Sequence, residues 1–464
     1  MSDQPSPNTP PLSPPTVPDA AAVAAHAPER SWATAIAPLT QKQRLLQLDF
    51  LRGISLFGIL VVNMGFFFDV LAKEVDLGWL ATADTSTRVV WSVVRVFFTF
   101  KFISLFSMMF GFGVALQLDR MAKSGASPWY FGLRRFGLLI LIGFLHGVFI
   151  WYGDILFVYG CMGLALLLLR LLPTKALLIT ALVLAGLLAL SSLAQGALGA
   201  AYSPRTAEHA TQDDTPPTYV DPRGVGALAD DMFQPGGPRY QAAERRAAQQ
   251  GPWLDAVSIR AVMWATLAFF APFSYGWHLL CMMLLGMWAY RTNFWSESNR
   301  ALRRRVAVVG LGIGFPLAIG GVVLMWLTDF QGPVAVALQG CTMNLGSLFL
   351  PVAYAVVIGG AALWLPRALA NAVASAGRMP LSVYLSESVC ATAISYWWGF
   401  GCFGSLSAVQ QMALAVGLWC GLVVLATVWL RYVPIGPMEY LWRMVSYWRL
   451  DPLVPTSRSD QPAG

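Results

Sequence analysis

The sequence predicts an all-α, polytopic membrane bundle of about ten transmembrane helices with both termini in the cytoplasm. Three observations carry that prediction. Hydrophobic residues make up 56% of the chain and charged residues 12%, the latter about half the share of a soluble globular domain. The apolar residues gather in blocks of spanning length rather than in short amphipathic stripes. Basic residues recur in every second connection between those blocks, the pattern that insertion imposes on cytoplasmic loops. The net charge of +7 is accounted for by this asymmetry, and no basic, aromatic-interleaved surface points to nucleic acid.

The first forty residues are rich in Pro, Ala, Ser and Thr and lack the basic start and apolar run of a signal peptide. Residues 1–44 are therefore expected to be a disordered cytoplasmic tail, followed by an N-terminal transmembrane bundle over 45–198, an extracytoplasmic loop over 199–256, a C-terminal transmembrane domain over 257–450 and a short tail over 451–464. The expected spans are 53–71, 101–118, 131–151, 155–172, 177–198, 273–290, 306–326, 345–365, 381–398 and 408–430. Lys42, Arg44 and Arg52 precede the first span, Arg120, Lys123, Arg134 and Arg135 follow the second, and Arg170 and Lys175 follow the fourth. Arg291 to Arg305, Arg367 with Arg378, and Arg431 to Arg449 continue the series. Between the outward ends, 69–91 has room for a surface helix, and 199–252 is a long polar insert with a helix-like stretch at 239–250, long enough to cap a cavity. Residues 258–271 read as an interfacial helix. The six cysteines lie almost entirely in apolar blocks without a C-x-x-C pair, which suggests neither a zinc site nor a disulfide framework, and a Cys341–Cys402 bridge is conceivable only by position.

Polar residues inside such spans are costly and mark candidate sites. Asp49 and Arg52, three residues apart where the first helix enters lipid, must pair with each other, with a partner helix or with a ligand. His146 lies between Gly143 and Gly147, a small-xxx-small pair that admits a second helix. The imidazole should face the bundle interior, as a base or as a buried His bonded to a backbone carbonyl. Asp154 closes the turn Trp151-Tyr152-Gly153-Asp154, where it can cap the next helix or orient His146. A helical rise of about 7 Å between His146 and Trp151 places the imidazole below that turn, so contact with Asp154 calls for a kink or a water. Asn63 and Lys101, and Asn344 with them, are expected at the same outer level, where an amide and an ammonium suit a developing oxyanion. Glu387, about two turns into the ninth span, should be protonated or paired, with Arg378 as a candidate partner. No Walker loop, H-E-x-x-H, G-x-S-x-G or dinucleotide fingerprint is present, and no bound metal or cofactor is implied.

Several stretches together resemble a known family. Leu48-Asp49-Phe50-Leu51-Arg52-Gly53-Ile54 with Val62-Asn63, Leu105-Phe106-Ser107 with Phe110-Gly111, and Leu145-His146-Gly147 with Trp151 to Leu156 are similar to the YeiB-like bacterial membrane proteins. So are Met283 to Met287, Gly377-Arg378-Met379 with Leu381-Ser382 and Tyr384, and Gly436 to Arg443, which fit that family's closing domain of unknown function. The resemblance implies a multi-pass protein of the bacterial inner membrane, and a distant likeness to transmembrane acyltransferases such as heparan-alpha-glucosaminide N-acetyltransferase. That likeness implies transfer of an acyl group from a cytoplasmic donor, acyl-CoA as co-substrate, to an extracytoplasmic sugar or lipid acceptor. In that scheme His146, Asp154, Asn63 and Lys101 are catalytic, and Asp49, Arg52, Glu387 and Arg378 bind donor or substrate. The chain departs from the lysosomal enzyme in having no His in 65–79, and from the YeiB-like pattern in carrying Val383 and Glu387. A transporter or flippase using the same polar cavity, with a proton path through His146, Asp154 and Glu387, is the rival reading, and a sensor or scaffold is the third.

Overall fold

A chain in lipid satisfies its backbone polar groups within helices, and the computed structural model follows that rule: residues 46–75, 77–125, 127–210, 238–271 and 275–447 are described, and they form helices without strands. The expected tails at 1–44 and 451–464 lie outside the described residues. The helices are α1 (Leu46–Phe68), α2 (Thr85–Phe97), α3 (Lys101–Lys123), α4 (Pro128–Phe149), α5 (Leu156–Leu169), α6 (Thr174–Ala210), α7 (Pro238–Gln249) and α8 (Trp253–Phe270). There follow α9 (Tyr275–Arg291), α10 (Arg300–Leu327), α11 (Pro333–Ala361), α12 (Arg367–Arg378), α13 (Pro380–Ser395), α14 (Ala408–Tyr432) and α15 (Pro437–Tyr447).

Eight stretches among the described residues are long and apolar enough to cross a membrane. Seven of them fall on expected spans, and three further expected spans are the shorter helices α5, α9 and α13. The eighth is α8, which was expected to lie in the interface; its length and apolarity are those of a span. Its contacts trace one descending path with α9. Trp253 meets Trp398, Arg260 Nε donates to the Val148 carbonyl at 3.4 Å, Trp264 packs on Phe144, and Ala271 closes on Gly276. The path then passes His278, bonded to Ser104, and Tyr290, whose hydroxyl donates to Asp119.

Close backbone approach at glycines locks the centre. A Cβ on Gly111 of α3 would lie 1.9 Å from the Met283 carbonyl oxygen of α9, and one on Gly286 would lie 1.9 Å from that of Met108. Likewise a Cβ on Gly377 of α12 would fall 1.7 Å from the Asp49 carbonyl oxygen, and one on Gly53 of α1 would fall 2.2 Å from that of Val373. Small residues at such crossings let dispersion and polar contacts replace the hydrophobic drive that lipid removes.

The contacts also separate two ends. Arg135, Arg170 and Arg291 gather at one: Arg291 donates to the carbonyls of Leu172 and Arg170, and Trp442 lies 3.6 Å from the Arg135 guanidinium. At the other end the insert supplies α7, close to the helix-like stretch expected at 239–250. Tyr240 and Ala243 of α7 are buried, and the Ala248 carbonyl accepts from Trp397 N at 2.8 Å. Glu244, 4% exposed, accepts from Leu71 N at 2.9 Å and from the Tyr152 hydroxyl at 2.8 Å. Asp84 caps α2 by accepting from Thr87 N at 2.8 Å, and Phe100 (φ 61°) breaks the chain before α3. The cysteines in the described residues, Cys341 and Cys402 included, are free thiols, so that pairing is not formed.

The basic residues imply an orientation that single cysteines can test. Cysteines introduced on the exposed face of α7 should react with an impermeant maleimide added outside intact cells, whereas cysteines at Arg303 to Arg305 should react only after permeabilisation. The reverse pattern overturns the orientation.

A second test concerns the α7 dock. Burial pushes the Glu244 carboxyl from its ordinary 4.5 up to about 7. A raised folded-state value means that the protonated form docks best. Docking strength is therefore full below about pH 4.5 and declines as pH rises toward 7, by on the order of 3 kcal/mol. After division by the intrinsic base-catalysed rate, hydrogen exchange of α7 amides should quicken over that window in the native protein. In Glu244→Gln it should stay level with pH, and equal pH profiles for the two proteins would refute the role of Glu244.

Candidate functional site

The site is built where α4 ends. Ile150 N and Trp151 N both donate to the His146 carbonyl at 2.9 Å, so the helix stops at Phe149 and the chain turns back. That reversal brings Asp154 beside the His146 imidazole, Nδ1 to Oδ1 2.8 Å, with both side chains almost wholly buried. The kink allowed for in the sequence reading is this early helix end. The other carboxylate oxygen, Oδ2, accepts from Phe157 N at 2.7 Å, so Asp154 does both jobs expected of it, holding the ring and satisfying an orphan donor at the start of α5. The two glycines around His146 are explained by contact. A Cβ on Gly143 would lie 2.2 Å from Phe157 N, and one on Gly147 would lie 2.0 Å from the Trp264 ring.

An imidazole held at Nδ1 by a carboxylate leaves Nε2 to exchange a proton. Here Nε2 is buried without a hydrogen-bond partner among the described residues. Tyr384 packs its ring 5.3 Å from the imidazole, and its hydroxyl takes the Ile155 N–H at 3.4 Å. Glu387, one turn along α13, is 2% exposed and its Oε1 is also unpartnered. Arg378, expected as a partner of Glu387, terminates α12, and its Nε is not what satisfies Glu387 Oε1.

A cavity of about 620 Å³ opens on the far side of the same turn, within the size range of small-molecule sites. Asn63 and Asp154 are on its wall. His146 is not; it stands directly behind Asp154. Lys101, 0% exposed, also lies off the wall, and its Nζ donates to the Arg95 carbonyl at 2.7 Å, closing the C-terminal turn of α2. Asn344 belongs elsewhere, its amide donating to Ser192 Oγ at 3.0 Å. The five-residue polar cluster expected from sequence thus reduces to Asn63, Asp154 and His146. The rim instead carries two acid-base pairs that sequence reading did not assemble, Arg95 with Glu74 at 3.2 Å and Lys73 with Asp69.

At the basic end Arg52 Nη1 pairs with Asp49 Oδ1 at 3.3 Å, and Nη2 donates to the Met109 carbonyl of α3 at 3.4 Å. Two of the three partners that lipid entry demands are therefore present, the neighbour and the partner helix. The cavity floor at Gly58 is six residues of helix from Arg52, about 9 Å, and buried Ser55 and Leu56 fill the interval. Glu439 of α15 caps α13, accepting from Leu381 N at 2.6 Å and Ser382 N at 3.1 Å. The Gly377 to Tyr384 stretch and the Gly436 to Arg443 stretch are thereby one structural joint.

Sequence reading also missed Arg260, 3% exposed with its guanidinium over the Trp253 ring, and the buried His278 Nε2 to Ser104 Oγ contact at 2.6 Å. The available signal was the same one that singled out His146, a polar side chain inside an apolar block.

Comparison with known proteins matches residues 289–449 to a family described as "Protein of unknown function (DUF418)". The chain is 28% identical over 408 residues to "Uncharacterized protein YeiB" of Escherichia coli (strain K12), covering 87% of this chain and 96% of that protein. It is 27% identical to "Uncharacterized protein YxaH" of Bacillus subtilis (strain 168), covering 90% and 98%. A "39.9 kDa protein in amylase 3'region" of Bacillus acidopullulyticus is 24% identical, covering 91% and 99%. The match therefore takes in α1 and the His146 turn as well as the closing domain, and the chain is a multi-pass helical membrane protein that is similar to YeiB over most of its length.

Proposed function

We propose that the protein is an inner-membrane acyltransferase, moving an acyl group from a cytoplasmic thioester donor to a hydroxyl of an acceptor in the 620 Å³ cavity. The observation that carries this reading is the buried His146–Asp154 pair at 2.8 Å with Nε2 left over, set against that cavity. In the reaction the acceptor hydroxyl gives its proton to His146 Nε2 as its oxygen bonds to the thioester carbonyl carbon. The carbon–sulfur bond then breaks, and the leaving thiolate takes the proton back, yielding the ester and free CoA. Asp154 holds the ring and favours the imidazolium that forms. Asn63, on the cavity wall, donates to the oxyanion; Lys101, committed to a backbone carbonyl, is left out of that role. Because His146 sits behind the Trp151 to Asp154 turn, the acceptor reaches Nε2 when Trp151 to Gly153 move aside while Asp154 keeps its hold on the ring. Arg52 and Asp49 mark the donor side, roughly 16 Å of helix from Asn63, and the buried Ser55 and Leu56 must yield for an extended pantetheine arm to cover that span.

A second reading has its own support. Two buried atoms without partners among the described residues, His146 Nε2 and Glu387 Oε1, suit proton carriage in a transporter whose substrate occupies the same cavity. Purified protein incubated with labelled acyl-CoA separates the two: CoA release that depends on an added acceptor supports transfer, and substrate flux without CoA release supports transport.

Two variants test the dyad. His146→Asn, whose amide N–H can still donate to the buried Asp154 carboxylate, should lower turnover by about 10²- to 10⁴-fold, the usual contribution of a general base, with the melting temperature nearly unchanged; His146→Ala would leave that carboxylate unpaired and lower the melting temperature for that reason alone. Asp154→Asn keeps one acceptor oxygen for two donors, so it either loses the Phe157 cap, worth about 1 kcal/mol, or presents an amide N–H to the imidazole and selects the other tautomer. Its turnover should fall less than that of His146→Asn, and its melting temperature more. Parallel loss of stability and activity in His146→Asn would reduce the imidazole to a packing group.

A further inference from the structure

The cavity changes character along its depth. Its floor is apolar, with Gly58 and Ile59 of α1, Ile103 of α3, Val158 of α5, and Leu267 and Ala268 of α8. Seven residues of α1 between Gly58 and Phe66 form one wall, a rise of about 12 Å. Asn63 and Asp154 interrupt this wall, and above them the rim presents the Lys73–Asp69 and Arg95–Glu74 pairs with Ser407 and Gln411. Two bases against two acids leave the rim without net charge, an environment that suits a zwitterionic or hydroxylated head group better than a bare phosphate.

The side walls are unequal. α8 is packed on α4 and α7, and α14 on α1, α12 and α2, so these two walls have no extensive contact with one another. Both present exposed apolar side chains beside the cavity, Phe269 and Phe270 on α8 and Val409 on α14. In a membrane those side chains face acyl chains.

We infer that the cavity binds a single-chain amphipathic lipid with a hydroxylated head group, entering sideways between α8 and α14, its hydrocarbon chain on the Gly58–Ala268 floor and its head at the Arg95–Glu74 rim. This deepens the acceptor side of the proposed function by naming its class, and it rests on that reading only for the fate of the lipid. The junction of chain and head, where such a lipid carries its free hydroxyl, falls at the level of Asn63 and Asp154. Water-soluble sugars would leave the floor unfilled and its apolar lining exposed.

The test uses the full chain in detergent with lysophosphatidylethanolamine bearing a diazirine in its acyl chain. Photolysis should label peptides containing 58–66 and 264–268. A hundredfold excess of unlabelled lysophosphatidylethanolamine should remove at least nine-tenths of that label, and glycerophosphoethanolamine, which has the head without the chain, should remove none. Ala268→Trp, which fills the floor, should cut labelling tenfold or more at an unchanged melting temperature; Val62→Trp serves if the first variant does not fold. Label confined to the outer faces of α6 and α10, label that excess lipid does not displace, or full labelling of both tryptophan variants overturns the inference. Displaceable cavity labelling without CoA release upholds lipid binding and rejects acyl transfer. Acylation of a soluble glycan without cavity labelling upholds transfer and overturns the lipid.

Discussion

A carboxylate has two oxygens, and at Asp154 each is claimed by a different element. Oδ1 holds the His146 ring and Oδ2 holds the first turn of α5. In a water-poor interior each unmet donor costs about 1–3 kcal/mol, so one side chain fixes the hairpin between α4 and α5, the tautomer of the imidazole and part of the cavity wall. The close approach of Phe157 to Gly143 follows from it, since the α5 start must come near enough for its N–H to reach Asp154. Any chemistry assigned to His146 is therefore inseparable from the local fold.

A second set of constraints joins the two halves of the sequence. Gly53 and Gly377 place α1 and α12 backbone against backbone, next to Asp49 and Arg52. Gly436 and Glu439 then bind the start of α13, the helix that carries Tyr384 and Glu387. The stretches that resemble the YeiB-like pattern are in this sense neighbours: the first-span residues touch the Gly377 stretch, which touches the Gly436 stretch. Their specificity as a group reflects one continuous packing arrangement at the basic end.

The helical fold and the alternation of basic connections were legible because hydropathy and charge act locally along the chain. The helix at 238–249 was legible for the same reason. Trp253–Phe270 was misplaced because an apolar stretch of that length reads alike whether it lies in an interface or crosses, and its neighbours on α4 decide its path. His146 and Asp154 were each legible as costly polar groups, but their direct contact depended on where α4 ends, and a continued helix put them too far apart. Lys101 and Asn344 show the converse limit. A polar side chain in a span takes the nearest acceptor, here the Arg95 carbonyl and Ser192 Oγ, and no pattern in the sequence names that acceptor.

The helix α13 is tethered at both extremities. Glu439 holds its beginning, and just past its end Trp397 N is bonded to the Ala248 carbonyl while Gly404 N is bonded to that of Phe68. A rod pinned in this way has little freedom to slide along its axis. Tyr384 and Glu387 sit along that rod, so the axial position of the buried acid is set jointly by the outer segment and by the closing helix.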